Sequence, residues 1–378
     1  MSWNLRPRYV NDVDWLKERR DLKVCFVDIS YRTKDLMKLP RRSRQILRRI
    51  SARGHEVEYV SISPLPGIGN AYIAYGLGSF SSLLKTLGTG PDVFLTNGLE
   101  TGALSYLSKM LRRRKFVFDY TDYYTILAHY EGYGLRTYYA PSLQKAIPNL
   151  ADHVIVVKEG FKKKCLSYGV PESKITIIPD GVDTTIFSPH VKGDKIRQEF
   201  RIAENPLVVY VGKVEEYYNL DTLIEAASIV VKCEPSTKFL LVGPGRSLSH
   251  LKSLAKKMGL SDSVIFAGFQ PYDSIPQFVG AADVAVFPHA EGLAVYEYMA
   301  SGKPLVKPKE RVGEVLDHLE SGFLLEECTS RSFAEGILEI LHNKQLAARI
   351  GGNARRLAVQ KYDWEILADE YTRVLQNV

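Results

Sequence analysis

The stretch LVVYVGKVEEYYNLDTLIEAASIVVKCEPSTKFLLVGPG, residues 207–245, decides the fold. LVVYVGKV (207–214) reads as a strand, DTLIEAASIVVKC (221–233) as a helix, and KFLLVGPG (238–245) as a second strand ending in a Gly-Pro-Gly turn. Strands that are continuously apolar belong to a sheet covered on both faces, and strands separated by helices indicate parallel pairing. The pattern continues with a helix at SHLKSLAKKMG (249–259) and strands at VIFAGF (264–269) and VAVFP (284–288). From Ser332 to Val378 the chain reads as helical, with breaks near Gly351-Gly352 and at Tyr362-Asp363.

The same alternation runs through the first half. LKVCFVDIS (22–30), the helical RSRQILRRISARG (42–54) and HEVEYVSI (55–62) give strand, helix, strand. Further strands are expected at DVFLTN (92–97), KFVFDY (115–120), HVIVV (153–157) and KITIIP (174–179), with TGALSYLSKMLRRR and EGFKKKCLSYG as helices between them. The segment SPHVKGDK (188–195) carries Pro and Gly without periodicity and separates the two series. The expectation is an α/β protein with two doubly wound Rossmann-like domains, residues 1–190 and 191–362, and a C-terminal helix (363–378) that packs back toward the first. Ligands are expected where the carboxyl ends of the strands open into the cleft between facing domains.

A chain of 378 residues, 45% hydrophobic and 25% charged, suits two soluble globular domains. No apolar run approaches the roughly 20 residues of a membrane span, and the N-terminal residues do not resemble a secretory signal. The four cysteines, Cys25, Cys165, Cys233 and Cys328, are scattered without zinc or redox spacing, as expected of thiols in a reducing cytoplasm. The net charge of +7 is uneven: residues 1–190 carry 28 Lys and Arg against 18 Asp and Glu. The excess concentrates in Arg41, Arg42, Arg44, Arg48 and Arg49, in Arg112 to Lys115, and in Lys162 to Lys164. Such clusters are commonly solvated helix faces. They also suit an anionic membrane surface or a phosphorylated substrate, with a cytoplasmic protein sitting peripherally at the bilayer. Nucleic acid is not expected, because no nucleic-acid module signature is present.

The stretch AEGLAVYEYMASGKPLV (290–306) places Glu297 at the start of an expected helix. The free N–H groups of a first helical turn attract phosphate, and a carboxylate offers two acceptors to a pair of ribose hydroxyls. A first-turn Glu that only complements the helix dipole is the competing reading.

Three stretches resemble the retaining glycosyltransferases of family 4, which have the GT-B fold. They are ADHVIVVKEGFKKKCLSYGVPESKITIIPDGVDTTIFSP (151–189), LVVYVGKVEEYYNLDTLIEAASIV (207–230), and ADVAVFP (282–288) taken with YEYMASGKPLV (296–306). The resemblance implies transfer of a sugar from a nucleoside diphosphate sugar to a glycan or polyprenyl-phosphate-linked acceptor, with retention of configuration; no cofactor or metal is expected, because no metal-binding Asp-x-Asp or His cluster is evident in the sequence. Glu297 matches the second glutamate of the family's acidic pair, which contacts the donor ribose. The first glutamate's position is His289, so Glu291 is either a shifted equivalent or the role has been replaced. Gly292, Leu293 and Ala294 suit close approach of sugar or phosphate, although Glu291-Gly292 also fits a simple exposed turn.

In the phosphate clamp, Lys213 stands at the family's Arg position beside the strand glycine Gly212, and Tyr218 replaces the Lys. Losing the second cation should weaken leaving-group stabilisation, unless a basic residue from elsewhere, such as Lys303 or Arg246, reaches in. Gly243 completes the expected donor set. In the first domain Thr121 stands at the family's His position, and Asp119 and Asp122 bracket it. Asp122, Glu291 and Lys213 are the catalytic candidates, with an N-cap or Asx-turn as the plainer role for Asp122. Arg41 and Arg42, with tyrosines including Tyr72, Tyr75, Tyr120, Tyr123 and Tyr124, are candidates for the acceptor; the tyrosines equally suit a packed core. His129 reads as a loop histidine. The departures at Thr121, Tyr218 and Glu291 favour a competing reading, a non-catalytic GT-B scaffold or regulatory subunit; another GT-B enzyme, a phosphorylase or sugar-nucleotide epimerase, is a separate alternative.

Overall fold

A computed structural model describes residues 21–28, 39–62, 71–122, 124, 134, 136–289, 292–310 and 314–378, with no side-chain description for 71–78. The chain divides into two compact units. One comprises Met1–Ile155, Cys165–Thr176 and Tyr371–Val378; the other comprises Val156–Lys164 and Ile177–Glu370.

The first unit is built on β1 (Lys23–Asp28), α1 (Arg41–Ala52), β2 (Glu56–Ser61), α2 (Ala71–Thr89), β3 (Val93–Thr96), α3 (Leu99–Arg112), β4 (Lys115–Tyr120), α4 (Arg136–Leu150), β5 (His153–Val156) and β6 (Ile175–Ile177), while α5 (Glu159–Ser167), between the last two strands, counts mostly with the second unit. Its strands form one parallel sheet in the order β2-β1-β3-β4-β5-β6. Val24, Val27, Phe94, Val117, Phe118 and Ile155 are fully or almost fully buried, as strands covered on both faces require.

The second unit contains α6 (Asp194–Glu199), β7 (Leu207–Val211), α7 (Leu220–Cys233), β8 (Lys238–Val242), α8 (Leu248–Lys257), β9 (Val264–Gly268), α9 (Ile275–Ala281), β10 (Val284–Val286), α10 (Leu293–Ala300), β11 (Leu305–Pro308), β12 (Phe323–Leu325), α11 (Ser330–His342) and α12 (Lys344–Lys361). Helix α13 (Trp364–Asn377) begins in this unit and ends in the other. The sheet order is β12-β11-β10-β7-β8-β9, all parallel. The direction of winding reverses between β7 and β10, so the loops at their carboxyl ends diverge. That switch point is the standard ligand position of an open α/β sheet.

One sequence expectation is corrected. Gly351 and Gly352 lie inside α12 and do not break it; the break falls at Asn343, whose side chain accepts from Leu346 N–H at 3.0 Å. A Cβ on Gly351 would lie 2.2 Å from the carbonyl oxygen of Gly302. This glycine brings a helix against the turn after α10, a packing need that outweighs its poor helix propensity.

Candidate functional site

The second unit's switch point is assembled from three loops. After β7 the chain runs through Gly212 and Lys213, and after β8 it runs through Gly243-Pro244-Gly245. These loops lie backbone to backbone: Gly212 N–H donates to Val242 O at 2.9 Å and Val214 N–H to Pro244 O at 2.8 Å. Gly243 has φ +144°, and a Cβ there would stand 1.8 Å from Gly212 O. Both features require glycine at 243, and the requirement comes from the neighbouring loop rather than from a ligand. At Gly212 a Cβ would meet the Tyr210 hydroxyl at 2.4 Å.

Between these glycines Lys213 is exposed, and it forms no ion pair with any described residue. Its carbonyl accepts from Tyr210 Oη at 2.6 Å, which fixes the backbone while leaving the ammonium in solvent.

The third loop follows β10. The Phe287 ring stacks near Tyr210, with centroids 6.0 Å apart, and fills the space where a Gly292 side chain would be: Phe287 Cζ is 2.5 Å from the ideal Cβ. Gly292 is the N-cap of α10 and supplies no side-chain cap. Val295 N–H returns to Gly292 O at 3.0 Å, whereas the amides of Leu293 and Ala294 bond to no described residue. Two open amides at a helix start make an electropositive point suited to phosphate. Tyr298 anchors the helix under β7 by accepting Val211 N–H at 2.6 Å.

Glu297 lies in the second turn of α10, not the first, and the first turn holds no acid. Dipole complementation therefore does not explain it, because that effect falls off within the first turn. The side chain is buried, and Oε1 accepts from Tyr272 Oη at 3.0 Å. A carboxylate withdrawn from water is expensive unless it is hydrogen-bonded, so this position serves a polar purpose.

Around this core lie the substituted positions. The Tyr218 ring lies 5.4 Å from that of His289 and 6.2 Å from that of Phe287. His289 is held below the usual histidine pKa, first by burial and then by the charges of Lys158 and Lys307. Asn219 takes the left-handed conformation, φ +55°, at the N-cap of α7. Of the suggested second cations, Lys303 donates to Gly280 O and Ala282 O at 2.7 and 2.8 Å, near the amino end of β10. Arg246 is paired with Glu215 at 3.1 Å.

A charged cluster at the carboxyl end of β11 escaped the sequence reading. Lys307 is fully buried and meets Glu314 at 2.8 Å and Glu310 at 3.8 Å, and Lys158 meets Glu310 at 3.5 Å. Glu314 also accepts the N–H groups of Glu310, Val315 and Leu316. Burial lowers the Lys158 pKa and raises that of Glu310. The available signal was a lysine inside the apolar run PLVKP with acids three and seven residues on.

In the first unit, Arg41 and Arg42 open α1. Arg42 is a correction to the expected acceptor set. Its guanidinium is buried, Nε and Nη2 reach Asp119 at 3.1 and 3.3 Å, and it lies 5.5 Å from the centre of the Tyr371 ring. Asp122 is exposed and accepts from Thr121 Oγ1 at 3.2 Å. Tyr120 and Tyr124 are buried and stacked at 5.9 Å, in line with the core alternative. Glu291, Tyr123, His129, residues 30–38 and the side chains of Tyr72 and Tyr75 lie outside what the structure describes.

Two Rossmann-like units, each a parallel six-stranded sheet flanked by helices, define an α/β protein of the GT-B fold. The chain belongs to the family 4 glycosyltransferases: the Glycosyltransferase Family 4 domain matches residues 39–186, and the domain of Glycosyl transferases group 1 matches 192–357. The GDP-mannose-dependent alpha-(1-6)-phosphatidylinositol monomannoside mannosyltransferase of Mycobacterium tuberculosis is 26% identical over 250 residues. That match spans 63% of this chain and 65% of the relative's length. A D-inositol 3-phosphate glycosyltransferase of Acidothermus cellulolyticus is 33% identical over 192 residues, 46% of this chain and 42% of that one. Among solved structures, Anabaena Alr3699/HepE in complex with UDP shares the fold at TM-score 0.73 and 22% identity, covering 94% of this chain and 100% of that one. The sucrose-phosphate synthase of Thermosynechococcus elongatus does so at TM-score 0.70 and 20% identity, covering 95% and 99%.

Proposed function

We propose that the protein transfers a sugar from a nucleoside diphosphate sugar to an acceptor hydroxyl or phosphate of a glycan or lipid-linked substrate, with retention of configuration. The observation that carries this reading is the buried carboxylate of Glu297, one turn below the open amides of Leu293 and Ala294. A ribose held by the carboxylate places a diphosphate toward the helix start. Names among the relatives and fold neighbours, GDP-mannose for one and UDP for another, support a nucleotide-sugar donor of either base.

The chemical difficulty is departure of the diphosphate. Charge that develops on the leaving phosphate is stabilised by preorganised donors, here the two amides and the Lys213 ammonium, with no metal or cofactor assigned. In this reading Gly212, Gly243 and Gly292 shape the loops of the donor site. Glu291 and Asp122 keep their proposed catalytic roles, and the acceptor is assigned to the first unit with Arg41 as its basic contact. A second reading draws on Tyr218, which by resemblance stands where the family has the clamp's second cation and whose ring lies 5.4 Å from that of His289. A GT-B scaffold that binds nucleotide sugar without turnover accounts for that substitution.

A thermal-shift screen with uridine, guanosine and adenosine diphosphate sugars tests donor binding, since a ligand specific to the folded state raises apparent stability. Stabilisation by one base, lost in Glu297→Ala, is expected. No shift with any of them sinks both readings. Binding without hydrolysis or transfer of a labelled sugar selects the scaffold.

A further inference from the structure

Helix α2, AYIAYGLGSFSSLLKTLGT, contains one charged residue in nineteen, Lys85, and yet it shows Phe80 and Leu84 to solvent one turn apart. On α3, Leu107, Met110 and Leu111 are exposed at i, i+3 and i+4 spacing, which makes an apolar stripe on the side facing away from the sheet. All five are between 47 and 61% exposed. The two helices pack side by side, and Arg112 at the end of α3 donates to the Leu87 carbonyl of α2, so their C-terminal ends adjoin.

The same end of the unit is basic. Arg112, Arg113, Arg114 and Lys115 follow the α3 stripe directly, and the left-handed Arg113, φ +53°, turns the chain there. Nearby acids are already matched: Asp152 by Lys109 at 2.9 Å and Asp92 by Arg114 at 3.9 Å. Lys85, Arg113 and Lys115 form no ion pair with any described residue. The patch therefore joins exposed apolar side chains to surplus positive charge.

We propose that this end of α2 and α3 is a docking surface for an anionic lipid bilayer. The apolar side chains enter the headgroup boundary while Lys85 and Arg112 to Lys115 meet lipid phosphates. Apolar groups beside long basic side chains are the composition that seats proteins on anionic membranes, through buried apolar area plus electrostatic attraction. The proposal does not rest on the donor chemistry, since these residues belong to the first unit and to none of the donor loops.

The test is flotation of the full chain with two vesicle populations, phosphatidylcholine alone and phosphatidylcholine mixed with phosphatidylglycerol. Binding to the mixed vesicles only, falling as salt rises, is expected. Leu107→Ser/Met110→Ser/Leu111→Ser and, separately, Arg113→Glu/Lys115→Glu should each lower partitioning about tenfold or more. Both variants should keep the wild-type circular dichroism melt, because the changed side chains are exposed. Phe80→Ser/Leu84→Ser is a second apolar variant on the other helix. Absence of wild-type binding to mixed vesicles overturns the proposal. So does binding unchanged in the serine variants, or a wild-type dimer in analytical ultracentrifugation that the serine variants dissociate.

Discussion

The hydroxyl of Tyr272 donates to Oε1 of Glu297 at 3.0 Å, linking the turn before α9 to the second turn of α10. This bond helps to orient the carboxylate. Glu297→Gln keeps the volume and removes the charge, and it should weaken nucleotide-sugar binding by roughly ten- to a hundredfold, the scale of one charged hydrogen bond. Tyr272→Phe should cost less, about three- to tenfold. Isothermal titration against the stabilising nucleotide sugar measures both, and equal affinity in Glu297→Gln removes the ribose assignment.

Lys213 extends from a loop fixed through its own backbone, so its side chain can change with little structural consequence. Lys213→Met should lower affinity for the nucleoside diphosphate about tenfold and leave the bare nucleoside unaffected. Lys213→Arg should retain most of the affinity, since the charge survives. The dependence of binding on salt should also flatten in Lys213→Met. An equal loss for nucleoside and diphosphate would show that the residue does not meet phosphate.

Gly243 combines φ +144° with a carbonyl 1.8 Å from where a Cβ would sit. Gly243→Ala should destabilise the second unit by about 3 kcal/mol through strain and overpacking. That corresponds to a melting temperature lower by roughly 6–12 °C for a unit of this size. A scanning calorimetry trace within 2–3 °C of wild type would contradict the stated geometry, at about 1 kcal/mol or less.

Lys307 is the only described cation within 4 Å of Glu314. Lys307→Met leaves that carboxylate buried without its counter-charge, at a cost of about 3–5 kcal/mol. Urea unfolding measures the loss, and a change under 1 kcal/mol would show that the backbone amides satisfy Glu314 unaided.

His153 and His289 are both held below the ordinary histidine pKa, chiefly by burial, with Lys174 acting on the first and Lys158 and Lys307 on the second. Between the lowered folded value and 6.5 the unfolded chain binds more protons. Stability is therefore full above about pH 6.5 and declines as pH falls through the folded pKa. Melting temperature should drop from pH 7 to pH 5, and His289→Asn should reduce the slope. An unchanged slope in that variant would place the effect elsewhere.

Most of both sheets was legible because their strands are continuous apolar runs, and KFVFDY marks β4 to the residue. Strands β11 and β12 were not, being four and three residues long, and one of them contains Lys307. Periodicity does not report a lysine buried by acids that lie further along the chain. The sequence singled out Gly212, Gly243 and Gly292 for a proposed donor site, but these glycines answer to neighbouring backbone, to Tyr210 and to Phe287, contacts that no spacing encodes. Arg42 illustrates the opposite error. Its basic neighbours suggested a surface role, while its partner Asp119 lies 77 residues on.

The final residues of α13 count with the first unit, where Tyr371 and Leu375 are buried and Tyr371 lies against Arg42. Residues 371–378 thus share a unit with β1 to β4, and a cut near residue 190 does not yield a complete half. Exchanging donor halves between relatives will succeed only if the incoming piece stops short of Tyr371, or if Tyr371 and Arg42 travel together. Modularity in this architecture is an insertion, with the second unit spliced into the first, rather than two beads on a string.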